Sequence, residues 1–65
     1  MTNFEMLCKR IIDTGGNPST QDVFECGYST DHFAKISRSN VKPEKLVKNA
    51  REALLARGIH YKEVK

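Results

Sequence analysis

The stretch Ser19-Thr20-Gln21-Asp22-Val23-Phe24-Glu25-Cys26-Gly27-Tyr28-Ser29-Thr30-Asp31-His32-Phe33-Ala34-Lys35-Ile36-Ser37-Arg38 decides the fold. It reads as two short helices hinged on one glycine. Pro18 blocks any helix arriving from before. Ser19 or Thr20 then offers a capping oxygen, and Asp22 puts a negative charge in the first turn, where the helix dipole favours it. The first helix runs from about Thr20 to Cys26. Gly27 stops it, because glycine enters the left-handed region without a Cβ clash. Ser29-Thr30-Asp31 is a fresh start signal. The helix that follows sets Phe33 and Ile36 on one face, with Tyr28 packing just ahead of it. Ser37-Arg38-Ser39-Asn40 is a polar exit.

Outward on the N-terminal side, Phe4, Leu7, Cys8, Ile11 and Ile12 recur at i, i+3, i+4, i+7 and i+8, one stripe of a helix. Thr2 or Asn3 can cap it, Glu5 suits its first turn, and Thr14-Gly15-Gly16-Asn17 ends it. On the C-terminal side, Lys42 stands before proline and is pushed to extended geometry. Pro43 fits the first position of a helix, where its missing N–H costs nothing. That helix runs to about Arg57 with Leu46, Val47, Ala50, Ala53, Leu54 and Leu55 as its stripe. Gly58 sits where a left-handed ending is expected, with Ile59 behind it. Residues 60–65 read as a polar, frayed tail. The expected fold is all-α, a bundle of about four short helices in a single domain spanning 1–65.

Sixty-five residues make one small core. The chain buries about 60% of the surface exposed when unfolded. Phe4, Leu7, Ile11, Ile12, Val23, Phe24, Tyr28, Phe33, Ile36, Val41, Leu46, Val47, Leu54, Leu55 and Ile59 can fill it. They leave no room for a deep substrate cavity beside it, since small-molecule pockets take about 300–1,000 Å³.

Cysteine usage points the same way. Cys8 and Cys26 are too few for the disulfide framework of a small secreted domain, and both fall on apolar faces, so two buried reduced thiols are expected. Cys8, Cys26, His32 and His60 lack the close-spaced pairs of a structural zinc site. Cys26 with His32 lacks an electropositive setting and an orienting third group for nucleophilic catalysis. Gly15-Gly16-Asn17 has no phosphate-loop lysine and follows a helix. The expectation is therefore a non-enzymatic binding module without cofactor or metal. No run is long and apolar enough for a membrane span, and the N-terminus lacks a signal-peptide pattern, so the cytoplasm is the expected compartment.

Charge is split along the chain. The net is +3, but residues 1–33 carry −3 and residues 34–65 carry +6. The basic half holds Lys35, Arg38, Lys42, Lys45, Lys48, Arg51, Arg57, Lys62 and Lys65. Such asymmetry suggests an anionic partner for the C-terminal half, often nucleic acid. A solvated, lysine-rich helix surface gives the same count.

The central stretch resembles a helix-turn-helix DNA-binding motif over about twenty residues. With Ser19 as its first position, the turn glycine falls on Gly27 and the apolar residue after it on Tyr28. The core positions of the recognition helix fall on Phe33 and Ile36, and its cap on Ser29. The fourth position, apolar in the motif, is Asp22, and the fifth, small where the helices nearly touch, is Val23. The resemblance implies that Thr30, Asp31, His32, Lys35 and Arg38 face double-stranded DNA. Arg38 would fork onto a guanine edge, and Lys35 would do the same or neutralise phosphate. Ser29 and Thr30, with the helix N-terminus, would take a phosphate. Lys42, Lys45, Lys48 and Arg51 would add sequence-independent attraction. On this reading the chain is a small transcriptional regulator of phage or mobile-element type. The alternative is a protein-binding adaptor or inhibitor. The wide stripe of the fourth helix would then pair two copies or seat another protein, without nucleic acid.

Overall fold

The computed structural model describes residues 2–38 and 41–62. Ser39 and Asn40 of the expected polar exit, and residues 63–65 of the expected tail, lie outside the described residues. The fold is an all-α bundle of α1 (Asn3–Asp13), α2 (Thr20–Glu25), α3 (Thr30–Arg38) and α4 (Pro43–Ala56). Each boundary follows from a few side chains.

Two starts are reciprocal caps. Thr2 Oγ1 accepts from the Glu5 N–H at 3.2 Å while the Glu5 carboxylate accepts from the Thr2 N–H at 3.0 Å. Ser19 Oγ accepts from the Asp22 N–H at 3.1 Å, and Asp22 accepts from the Ser19 N–H at 2.9 Å. Two otherwise orphaned N–H groups are satisfied at each helix start. Of the alternatives open in the sequence, the caps are Thr2 and Ser19. Lys42 is extended ahead of Pro43, as the proline requires.

Three ends share one device. The Gly15 N–H donates to Ile12 and the Gly16 N–H to Ile11, at 3.1 and 2.8 Å. Gly27 and Tyr28 do the same to Phe24 and Val23, and Gly58 and Ile59 to Leu55 and Leu54. These paired bonds are Schellman endings that absorb the last free carbonyls. Gly16 has a second duty. Its φ is +86°, and a Cβ there would run into the backbone of Pro43. The end of α1 and the start of α4 thus meet backbone to backbone.

α1 lies along α4 and also touches α2, while α3 packs on α2. The core between them is Leu7, Cys8, Ile11, Ile12, Val23, Cys26, Ala50 and Leu54. Ile12 and Val23 are fully buried. Tyr28, Phe33, Ile36, Leu46, Val47, Ala53, Ile59 and Tyr61 close its edges.

Three expected core residues are exposed. Phe24 is 65% exposed, Leu55 51% and Phe4 41%. Phe24 and Leu55 each follow a fully buried neighbour, Val23 and Leu54, and one residue turns a helix by about 100°. α2 is too short to offer a second covered face. Phe4 is roofed on one side by the Arg57 guanidinium, 4.7 Å from its ring centre. At the other end, Tyr61 donates to Asp13 at 2.7–2.8 Å, and Lys9 stands 5.2 Å from its ring centre. The first part of the expected tail is thereby tied to α1.

Candidate nucleic-acid interface

The corner between α2 and α3 is built on Gly27, with φ +87°. A side chain there would be strained and would crowd Asn3, whose amide nitrogen would lie 2.7 Å from a Cβ. Behind the corner, the Ser29 carbonyl accepts from His32 and Phe33 N–H groups and begins α3. Tyr28 and His32 stack across the first turn with ring centres 4.4 Å apart and planes inclined by 29°. His32 is therefore a half-buried member of the corner as well as a candidate contact.

Asp22 and Val23 occupy the places where the helix-turn-helix pattern departs. Asp22 is the second half of the Ser19 cap and also receives Arg10 from α1 at 3.0 Å. Val23 is fully buried, in the core with residues of α1. Both residues serve the α1–α2 seam. α2 begins only after Ser19, so the motif's first position lies at the cap and not inside a helix.

Ser29, Thr30, Asp31, Lys35 and Arg38 are exposed. Asp31, Lys35 and Arg38 stand at i, i+4 and i+7 and share a face of α3. Phe33 and Ile36 point the other way, into a cleft of about 300 Å³ shared with Gly16–Pro18, Val41, Pro43 and Leu46. This cleft joins the inner face of α3 to the start of α4. Lys42, Lys45 and Lys48 are exposed from the N-cap of α4 along its outer side. Arg51, one further step along the same three-residue spacing, is also exposed, and it lines a C-terminal cleft with Leu54, Leu55 and Ile59.

The ion pairs divide the cations into two sets. Arg10 is engaged by Asp22 and by Glu25 at 3.4 Å, and Arg57 by Glu5 at 3.5 Å. Backbone N–H donors of Ser19 and Thr2 hold the Asp22 and Glu5 carboxyls below their usual range, with Arg10 and Arg57 adding to the effect. Lys35, Arg38, Lys42, Lys45 and Lys48 take part in none of these pairs. Arg10 and Arg57 thus face carboxylates, whereas the cations of α3 and the first half of α4 are exposed outside these pairs.

The cysteines belong to the core. Cys8 and Cys26 are free, buried thiols, and burial raises both above the usual thiol range. Among the described residues no cluster of His, Cys, Asp and Glu could hold a metal ion. Among them, too, no helix is long and apolar enough to cross a membrane. Comparison of the chain with protein-family models, with curated proteins and with solved structures finds no match.

Sequence reasoning missed the role of Asp22, which a Ser-x-x-Asp capping pattern could have shown.

Proposed function

We propose that this chain is a non-enzymatic binder of double-stranded DNA, acting through α3 and the first half of α4. The observation that carries the reading is the exposed set Lys35, Arg38, Lys42, Lys45 and Lys48, free of the acidic partners that engage Arg10 and Arg57. Lysines and arginines left to solvent attract phosphate and release its condensed counterions on binding. α3 is the element suited to enter a groove. Its apolar face rests on the bundle, and Lys35 and Arg38 project from the opposite side. Arg38 offers a fork that matches the major-groove edge of guanine. Ser29 and Thr30 at its start supply hydroxyl and backbone donors for a phosphate, and His32, steadied by Tyr28, borders them. Lys42, Lys45 and Lys48 engage backbone without reading sequence. Asp31 opposes phosphate on the same face and restricts which register is tolerated. A regulator of transcription is the role this fits.

An NMR titration of the labelled chain with mixed-sequence duplex DNA at low salt tests the reading. Amide shifts should cluster from Ser29 to Arg38 and from Lys42 to Lys48. Absence of shifts, or shifts confined to α1 and the C-terminal segment, would remove it.

A further inference from the structure

The C-terminal cleft is a second site of different chemistry. It has a volume of about 200 Å³ and apolar walls formed by Leu54, Leu55, Ile59 and Tyr61. Leu55 leaves half its surface in solvent here, beside the fully buried Leu54. Arg51 and Lys62 stand at its rim, and no acidic side chain lines it among the described residues. The Asp13 carboxylate accepts from the Tyr61 hydroxyl, and Lys9 stands over the same ring. An apolar slot lined by two cations and, among the described residues, by no carboxylate is complementary to one kind of occupant: an apolar side chain carried between acidic ones.

We infer that this cleft docks an acidic peptide segment of another protein, with one aliphatic side chain seated between Leu55, Ile59 and Tyr61 and flanking carboxylates on Arg51 and Lys62. Burial of the anchor supplies the affinity, and the rim charges set its orientation and exclude basic segments. The site is separate from the face assigned to DNA and does not depend on that assignment. A partner bound here would leave Lys35 and Arg38 free.

The test uses the whole chain, isotope-labelled, and three short synthetic peptides followed by NMR. One carries a central leucine flanked by glutamates, the second an alanine in its place, and the third the leucine flanked by lysines. The first should shift amides of Arg51, Leu55, Ile59 and Tyr61 in a saturable manner, and the other two should not. Leu55→Ser, a change at an exposed position outside the DNA-facing set, should weaken the first peptide at least about tenfold and leave the spectrum otherwise native. Equal responses to the glutamate and lysine peptides, equal responses to leucine and alanine, or unchanged affinity in Leu55→Ser would each overturn the inference. Failure to bind DNA would leave this result standing, and the reverse also holds.

Discussion

Arg10 of α1 holds Asp22 of α2 at 3.0 Å, and the same carboxylate closes the Ser19 cap. One side chain therefore starts α2 and fastens it to α1. Asp22→Ala should cost about 1 kcal/mol, chiefly through the lost bond from the Ser19 N–H to the carboxylate, since an exposed ion pair alone contributes about 0–1 kcal/mol. Urea unfolding of the two proteins measures it. A loss no larger than that of Glu25→Ala, which removes only the 3.4 Å contact to Arg10, would show that the cap is idle.

Acid should weaken the fold by a route that can be assigned. The Asp22 and Glu5 carboxyls titrate below their ordinary values because backbone N–H groups of Ser19 and Thr2 donate to the charged form. A depressed folded value means that the unfolded chain binds protons first as pH falls. Their stabilisation is complete above the ordinary carboxylate range, about pH 4, and disappears as pH drops through the folded values. Thermal melts should show Tm level near neutrality and falling below about pH 4. The double variant Glu5→Gln with Asp22→Asn should flatten that acid limb. An unaltered limb would place the acid sensitivity elsewhere.

Gly16→Ala should be among the most damaging single changes in the chain. The new methyl meets the Pro43 backbone, which cannot rotate away, and the φ of +86° is itself unfavourable for alanine. Gly15→Ala shares a positive φ but meets open space, so it reports the conformational cost alone, about 1 kcal/mol. Gly16→Ala should exceed it clearly in chemical denaturation. Equal losses would mean that the α1–α4 seam gives way without cost.

Adjacent leucines on α4 separate burial from exposure. Leu54 is 1% exposed and Leu55 51%. Leu54→Ala should cost about 2–5 kcal/mol, enough to unfold much of so small a domain. Leu55→Ala should stay within about 0.5 kcal/mol. Circular-dichroism melts distinguish the two, and similar losses would contradict the placement of α4.

The helix ends were legible because their causes act within a few residues. Thr2, Ser19, Pro43, Gly27 and Gly58 each mark a boundary without help from the rest of the chain. What could not be read is what covers what. A stripe such as Phe4-Leu7-Cys8-Ile11-Ile12 defines a face, but the width of that face depends on the neighbour, and Phe4 lies beyond its edge. Phe24 and Leu55 were misread for the same reason. Gly16 against Pro43 and Tyr61 on Asp13 join distant parts of the chain, so local pattern carries no trace of them. Of the candidate site, the cations and their exposure were legible from their polar spacing. The ion pairs of Arg10 with Asp22 and of Arg57 with Glu5 appear only once the helices are assembled.

Fluorescence anisotropy of a labelled mixed-sequence duplex, titrated with the chain across a range of salt concentrations, bears most directly on the DNA reading. Affinity should fall steeply with salt, with a log–log slope of about −0.9 for each phosphate engaged. The Lys35→Ala, Arg38→Ala double variant should bind more weakly, with a slope shallower by about 1, since Arg38 is set against a base edge and only Lys35 is left to neutralise phosphate. No binding at the lowest salt, or a double variant that follows the wild-type curve, would contradict it.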